Sequence, residues 1–213
     1  MSTTAQTLSS KVHDAILEMI LEAGTDSEQL LLTEHGLVEK YGVSKAPVRE
    51  ALLRLCAEDV LRSIPRCGYV VVRVGEKSGR DNLAVRRMLE LCALDQNFDR
   101  FTPERVAAIA ARLDESRGLS GSDSSVWDIW QVNMDFHCGL IGAADNPYLE
   151  SHLRTCIDVE RRFYAQNHYN PDRPFRMNYS PEAHEGILDA IRRGDKAEAL
   201  RLLDKDIGEG FLD

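Results

Sequence analysis

The sequence predicts a mainly α-helical fold with one short β-hairpin near its N terminus. Apolar residues recur at helical spacing through most of the 213 residues, in segments separated by Gly, Pro, Asn and Asp. The segment LRSIPRCGYVVVRV, which ends at Val74, instead has a Pro-to-Gly turn followed by β-branched residues, as is typical of a two-stranded hairpin. The polar segment GEKSGRD that follows, beginning at Gly75, predicts a linker. Two domains are therefore expected, 1–75 and 76–213.

Three helices are predicted before the hairpin. They run from Val12 to about Gly24, from the N-cap Thr33 to about Tyr41, and from the N-cap Ser44 to about Glu58. Gly42 separates the last two, at a turn that requires a residue tolerant of positive φ. Pro47 does not break the third helix, because it falls in the first turn, where its missing N–H has no intrahelical partner.

The C-terminal domain is predicted to be an all-α helical bundle. Its helices are separated by FTPE, GLSGSDSS, ADNP, YNPDRP and RRGD, which combine caps with helix breakers. The six predicted helices are Asp81–Phe98, Pro103–Arg117, Ser125–Ala143, Pro147–Asn167, Pro181–Arg193 and Asp195–Gly208.

Composition and cysteine usage argue against several protein classes. The chain has no run of about 18 apolar residues, so no membrane span is expected, and its start lacks the basic and apolar blocks of a signal peptide. The five cysteines are scattered and include no CxxC pair, which argues against a disulfide framework or a zinc ribbon. A reducing cytoplasm is the expected location.

The charge is unevenly distributed, although the net value is −9. From Met1 to Glu39 there are one lysine and seven acidic residues, whereas from Lys40 to Arg73 there are seven Lys and Arg residues and three acidic ones. A basic segment in an otherwise acidic chain indicates a local anion-binding surface.

That basic segment also has the layout of a winged helix-turn-helix, with two short helices joined by a Gly turn and a hairpin behind them. Lys45 and Arg49 add charge near a helix N terminus, where free N–H groups already favour phosphate, and small Ala46 lets the helix approach base edges. Arginine can also bind guanine bidentately. The alternative for this Lys/Arg pair is a solvated helix face, and the order of cap, turn, helix and wing weighs against it.

The segment LTEHGLVEKYGVSKAPVREALLRLCAEDVLRSIPRCGYVVV resembles the winged helix of GntR-family bacterial transcription regulators, through GVS, a basic residue, PVREAL and PRxGxxV. The helical remainder resembles the C-terminal ligand-binding (FCD) domain of the FadR subgroup, through VRRMLE, FHCGLIGAADNPYL and HEGILDAIRRGDKAEAL. His35 and Lys45 stand where many relatives carry arginine. The residues predicted to contact DNA are Thr33, His35, Ser44, Lys45, Ala46, Arg49, Arg54, Arg66 and Gly68.

This resemblance implies how such a protein works. Family members form homodimers, bind two-fold-symmetric operators in double-stranded DNA and respond to a small-molecule effector, commonly an organic acid. Repression relieved by the ligand is their common mode, so a cytoplasmic repressor is expected.

Four polar residues of the C-terminal domain are predicted to converge. Asn133 and His137 are four residues apart and share a helix face. His184 and Asp206 lie roughly 14 and 18 Å on either side of the RRGD turn, so an antiparallel helix hairpin brings them to nearly the same level. Such donors can bind a divalent metal, here zinc, nickel or manganese. The alternative is a polar pocket in which both histidines are hydrogen-bonded core residues.

The resemblance implies a metal at these positions beside a carboxylate effector. It also implies that Arg86 lies near the effector, as do Asn133, His137 and His184, and an arginine could bind a carboxylate bidentately. The alternative for Arg86 is an ion pair with Glu90 on the same helix. Besides a ligand-responsive regulator, the polar cluster is compatible with two other functions, a metal sensor and a metal-dependent enzyme. The absence of a general-base motif such as HExxH argues against the enzyme.

Overall fold

The computed structural model describes residues 6–117, 125–170, 172 and 180–209. Within them the chain forms nine α-helices and one three-stranded antiparallel sheet, so the predicted mainly α fold class is confirmed. The helices are α1 (Leu8–Ala23), α2 (Glu34–Tyr41), α3 (Lys45–Ala57), α4 (Glu76–Gln96), α5 (Pro103–Arg117), α6 (Val126–Gly142), α7 (Pro147–His168), α8 (Pro181–Arg192) and α9 (Lys196–Glu209). The strands are β1 (Leu31–Leu32), β2 (Leu61–Ile64) and β3 (Gly68–Val71).

The chain divides into two compact units. The first comprises Met1–Gly75 and Arg162–Pro174, and the second comprises Glu76–Arg161 and Phe175–Asp213. The end of α7 belongs to the first unit because Gln166 pairs with the chain that follows β3. Its side chain accepts from Val74 N at 2.7 Å and donates to Val72 O at 3.1 Å.

The first unit is built around one apolar core. Helix α3 contributes a stripe spaced as one face of a helix requires, and the opposite face, with Lys45 and Arg49, stays exposed. The buried members of the core are Val12, Ile16, Ile20, Leu32, Leu37, Val48, Ala51, Leu52, Leu55, Val60, Leu61 and Val71.

Local chemistry sets the limits of α2 and α3. The hydroxyl of Thr33 accepts a hydrogen bond from Gly36 N at 3.1 Å and so caps α2. Gly42 ends that helix in the left-handed conformation, at φ 63°. Helix α3 then begins at Lys45 with Pro47 in its first turn, as predicted. Ser44 occupies the N-cap position, but its side chain makes no capping hydrogen bond.

The sheet has the order β1-β3-β2, so the hairpin predicted from the Pro-to-Gly turn carries an additional strand. Strand β1 was not predicted, because two residues are too short to show an alternating pattern. Its Leu32 is opposite Tyr69 of β3. Gly68 is required at this place, since it has φ 130° and a Cβ there would lie 2.3 Å from Leu32 O.

The second unit has its own apolar core, to which α4, α5, α6, α8 and α9 all contribute. Helices α8 and α9 form an antiparallel hairpin that turns at Gly194, where φ is 71°. The buried core residues are Leu94, Val106, Ile109, Leu113, Phe136, Leu140, Ile187, Leu188, Ala190, Ile191, Ala199, Leu203 and Ile207.

The segment GEKSGRD was predicted to be a linker, and this prediction was wrong. Helix α4 begins at Glu76, directly after Gly75. The segment is polar because most of this first part of α4 faces solvent, and its charges pair along the helix, Glu76 with Arg80 at 3.3 Å and Lys77 with Asp81 at 2.5 Å. Pairs of this spacing stabilise an exposed helix.

No helix within the described residues is long and apolar enough to cross a membrane. All five cysteines are free thiols.

Candidate functional site

The residues predicted to contact DNA lie on α2, α3 and the turn between β2 and β3. All are exposed except Gly68, which is partly buried. At the turn, Arg66 has φ 64°, and Cys67 N donates to Ile64 O at 3.0 Å. This turn points the Arg66 side chain into solvent at the tip of the hairpin, where a wing would meet a nucleic-acid backbone.

Arg49 is held by Glu34 through two parallel hydrogen bonds. Its Nε and Nη2 atoms each donate to a different carboxylate oxygen of Glu34 at 3.1 Å. The hydrogen bond from Arg49 lowers the pKa of Glu34, and the nearby Lys45 charge adds to this effect. An acidic residue is therefore part of the basic surface and fixes the Arg49 side chain in the free protein. This acidic partner was not identified from the sequence.

The second group of predicted residues lies in the helical unit. The Nε2 atoms of His137 on α6 and His184 on α8 lie 3.3 and 3.4 Å from the same oxygen, Oδ2 of Asp206 on α9. Ligand atoms of all three residues lie within 4.8 Å of one another. Both histidines are 1% exposed. Asn133, the fourth predicted ligand, is partly buried one helical turn before His137.

These distances suit a metal ion. Two ligand atoms that each lie about 2.1 Å from an ion at a tetrahedral angle are about 3.4 Å apart. Burial is the largest influence on Asp206 and opposes ionisation, but hydrogen bonds from His137 and His184 hold its pKa far below the usual value. Burial also lowers the pKa of His184, so this imidazole is neutral at pH 7. An ionised carboxylate and a neutral imidazole are the forms that bind metals.

His137 is connected to a buried chain of charges. Its Nδ1 atom pairs with Glu90 Oε2 at 2.7 Å, and Arg86 donates to Glu90 at 2.7 Å and to Glu160 on α7 at 2.6 Å. Each of the four side chains is at most 6% exposed. The ion pair of Arg86 with Glu90, the alternative derived from their spacing, is thus present, and a role of Arg86 in effector binding stays a prediction.

The surroundings of this chain explain its protonation. Burial is the largest influence on the pKa of His137 and lowers it, but the charge of Glu90 and hydrogen bonds with Asp206 and Glu90 together raise it, so the net shift is upward. Burial raises the pKa of Glu90, yet His137 and Arg86 together bring it below the usual value. Burial raises the pKa of Glu160, and Arg86 offsets this only in part. When His137 is neutral and Glu90, Glu160 and Asp206 are ionised, these three carboxylates exceed the single positive charge of Arg86, and this excess favours a cation.

Phe136 packs against the imidazole of His184 and fixes its orientation. Its ring stacks on that of His184 with centroids 3.8 Å apart and planes inclined by 8°. The two histidine rings are perpendicular to each other, with centroids 5.3 Å apart.

Glu160 could have been suspected from the sequence, because it continues a buried stripe with Leu153 and Ile157 at helical spacing. A carboxylate in such a stripe requires a buried partner.

Two family models match the sequence. The model described as "Bacterial regulatory proteins, gntR family" matches residues 8–71, and the FCD domain model matches residues 81–208, more than half of the chain. Among curated proteins, the HTH-type transcriptional regulator McbR of Escherichia coli is 34% identical over 171 residues, which cover 78% of this chain and 74% of McbR. The gluconate operon transcriptional repressor of Bacillus subtilis is 25% identical over 201 residues, covering 91% and 78% of the two chains.

Solved structures share the fold. Escherichia coli McbR/YncC matches 96% of this chain and 95% of its own with a TM-score of 0.75 at 23% identity. A GntR protein from Rhodococcus sp. RHA1, described as a putative transcriptional regulator, matches 94% of both chains with a TM-score of 0.66 at 19% identity. At these identities the structural likeness establishes the architecture alone.

Proposed function

The chain belongs to the GntR family of bacterial regulatory proteins and carries an FCD domain, and on that premise we propose that it is a repressor that leaves its operator when a small organic acid binds at a metal in the FCD domain. Proteins with these two domains are transcription regulators, not enzymes. The observation that carries the metal part is the convergence of His137, His184 and Asp206. The name of the gluconate operon repressor supports repression as the mode.

The DNA-binding part of the proposal rests on α3. Its N-terminal turn presents Lys45, Ala46 and Arg49 to solvent, on a basic segment of an acidic chain. A helix of this kind enters the major groove of DNA, and a symmetric dimer places two such helices on half-sites about one helical turn apart. We therefore propose a homodimer on a two-fold-symmetric operator.

The effector part rests on the number of protein ligands. Three converging protein ligands leave coordination positions of a zinc, nickel or manganese ion free, and a carboxylate oxygen can fill them. Asn133 adds a neutral donor from the same face of α6 as His137. Arg86 is already paired with two glutamates, so in this proposal the metal, rather than a free guanidinium, compensates the negative charge of the effector.

Metal content after mild dialysis tests the metal site directly. We expect the wild-type protein to bind about one divalent ion per chain at neutral pH. Asp206 carries the only formal negative charge among the four ligands, so Asp206→Ala should weaken binding in calorimetry more than Asn133→Ala. Asn133→Asp should strengthen it. A wild-type chain that takes up no zinc, nickel or manganese would leave a polar pocket in place of a metal site.

A screen of carboxylic acids by thermal unfolding, with and without metal, tests the effector class. A ligand at 100 times its dissociation constant adds about 2.7 kcal/mol to the free energy of unfolding. The acid found should release operator DNA in fluorescence anisotropy only when metal is present. Release by metal alone would instead make the protein a metal sensor. Sedimentation of the full chain tests the dimer, and a monomer at micromolar concentration would contradict it.

A further inference from the structure

A cleft lies in the helical unit, on the other side of α6 from the cluster of His137, His184 and Asp206. It is bounded by α5, α6 and α7 and has a volume of about 360 Å³. Gly139 and Gly142 line it, two and five residues after His137. At about 100° per residue, these glycines are turned by roughly 200° and 140° from the histidine. The cleft and the cluster are therefore separate sites on opposite faces of one helix.

Three arginines line the cleft, and among the residues that the structure describes only Arg105 has a hydrogen-bonding or ion-pair partner. Arg105 donates to Ala143 O at 2.8 Å and to Asp145 Oδ2 at 2.9 Å. Arg112 on α5 and Arg154 on α7 make no hydrogen bond or ion pair with any residue in the described part of the chain. One further acidic residue, Glu150, also lines the cleft. Within the described residues, the cleft thus contains two guanidinium groups without an ion pair, and its three arginines exceed its two acidic residues by one charge.

The floor of the cleft is apolar and leaves room for a ligand. A Cβ at Gly142 would meet nothing within 4 Å, so the absence of a side chain there keeps the space open. At Gly139 a Cβ would lie 3.3 Å from Ile109, which shows that α5 and α6 pack closely beneath the cleft. The volume falls in the range of sites for small metabolites.

The chemistry of the cleft identifies the ligand class. We propose that it binds a small dianion, carried as a phosphoryl group or as a short dicarboxylate, between Arg112 and Arg154. Guanidinium groups bind phosphate and carboxylate through paired charge-assisted hydrogen bonds, and a dianion removes the repulsion between two like charges.

Calorimetry on the full chain, with metal removed by a chelator and ionic strength held constant with chloride, tests this proposal. Sodium phosphate and sodium succinate are the two probes. Whichever anion binds, Arg112→Gln and Arg154→Gln should each weaken it by about tenfold or more, because each removes a charge-assisted pair. Arg193→Gln, which removes the same charge from an exposed position after α8, should change the affinity by less than roughly twofold.

A second variant separates the shape of the cleft from its charge. Gly142→Leu leaves every charge in place and fills the open space, so it should also abolish binding. Phosphate binding alone identifies a phosphoryl ligand, and succinate binding alone identifies a dicarboxylate. The proposal is overturned if neither anion binds, if Arg193→Gln weakens binding as much as Arg112→Gln, or if only Arg49→Gln abolishes it, since the anion would then sit on the DNA-binding surface.

Discussion

The Nδ1 atom of His137 lies 2.7 Å from a carboxylate oxygen of Glu90, and neither side chain has more than 1% of its surface exposed. With the Nδ1–H donated to Glu90, Nε2 is the atom that can exchange its proton for a metal, and it lies 3.3 Å from Asp206. Arg86 fixes Glu90 from its other side. Glu90 is thus a positioning residue for His137, the proposed metal ligand on another helix.

Glu90→Gln should weaken metal binding without removing a metal ligand. Carboxylates that orient a metal-bound histidine typically contribute about 10- to 100-fold in affinity, and the amide keeps the shape but loses the charge. Competition with a colorimetric chelator measures the change. Glu76→Gln, at the exposed start of the same helix, should have wild-type affinity. Equal affinities in the two variants would show that Glu90 does not position His137.

Arg86→Met should destabilise the fold strongly. Removing the guanidinium leaves Glu90 and Glu160 buried without their common cation, and breaking a buried ion pair from one side costs about 3–5 kcal/mol. Urea unfolding measures this free energy. Arg87→Met is the matched control, because the adjacent Arg87 side chain is half exposed where it pairs with Asp204 and exposed pairs contribute little. A similar loss in both variants would contradict the role assigned to the buried network.

The helix limits could be predicted because local chemistry determines them. Helices α8 and α9 begin and end within one residue of their predicted limits, because a proline, a glycine turn and an aspartate mark them. The start of α4 could not be predicted in the same way, since an exposed polar helix and a polar linker have the same composition. Only the pairing of charges four residues apart distinguishes them, as with Lys77 and Asp81.

The relative levels of two site residues could be predicted because a short turn links their helices directly. The α8–α9 hairpin set the levels of His184 and Asp206 from residue counts alone, and their side chains lie 3.4 Å apart. Glu160 comes from α7, which no short turn connects to α4. The packing of the whole unit determines which face of α7 meets Arg86. The spacing of residues in the sequence therefore indicates a buried stripe on α7 but does not identify Arg86 as the partner of Glu160.

Cys156 should react more slowly with iodoacetamide than the exposed Cys67 and Cys92. Burial raises the pKa of Cys156 to about 11, and the Glu160 carboxylate adds to this effect. Since the thiolate is the reactive form, about one Cys156 thiol in a thousand is ionised at pH 8, and its rate should rise about tenfold per pH unit between pH 7 and 9. Mass spectrometry of peptides from the native protein measures each rate. Equal labelling of Cys156 and Cys67 at pH 8 would contradict this assignment.

The raised pKa of Cys156 also has a consequence for stability. The folded state holds this proton to higher pH than the unfolded chain does, so the contribution of the neutral thiol is complete below the unfolded pKa and is lost as pH rises toward 11. Cys156→Ala should therefore flatten the alkaline decline of the free energy of unfolding. Urea unfolding between pH 8 and 10 measures the slope. An unchanged slope would mean that another group causes the decline.

The two members of the ion pair between Arg49 and Glu34 should affect DNA binding in opposite ways. If Arg49 reads a guanine, Arg49→Ala should cost about 1–3 kcal/mol on the cognate site and relax specificity there. Glu34→Gln removes a negative charge from the surface predicted to contact DNA and frees Arg49. It should therefore increase affinity for non-cognate DNA and lower the ratio of operator affinity to non-cognate affinity.

Lys45→Ala is the comparison variant, because Lys45 is expected to contact only the DNA phosphates. It should weaken cognate and non-cognate DNA alike and lower the slope of log affinity against log salt by about 1. Fluorescence anisotropy at several salt concentrations, with circular dichroism to confirm the fold, measures all three variants. If the double variant of Lys45 and Arg49 bound the operator like wild type, α3 would not be the helix that enters the groove. Glu34→Gln could instead lower the affinity for both operator and non-cognate DNA. That result would show that Glu34 orients Arg49 for contact with DNA and does not restrain it.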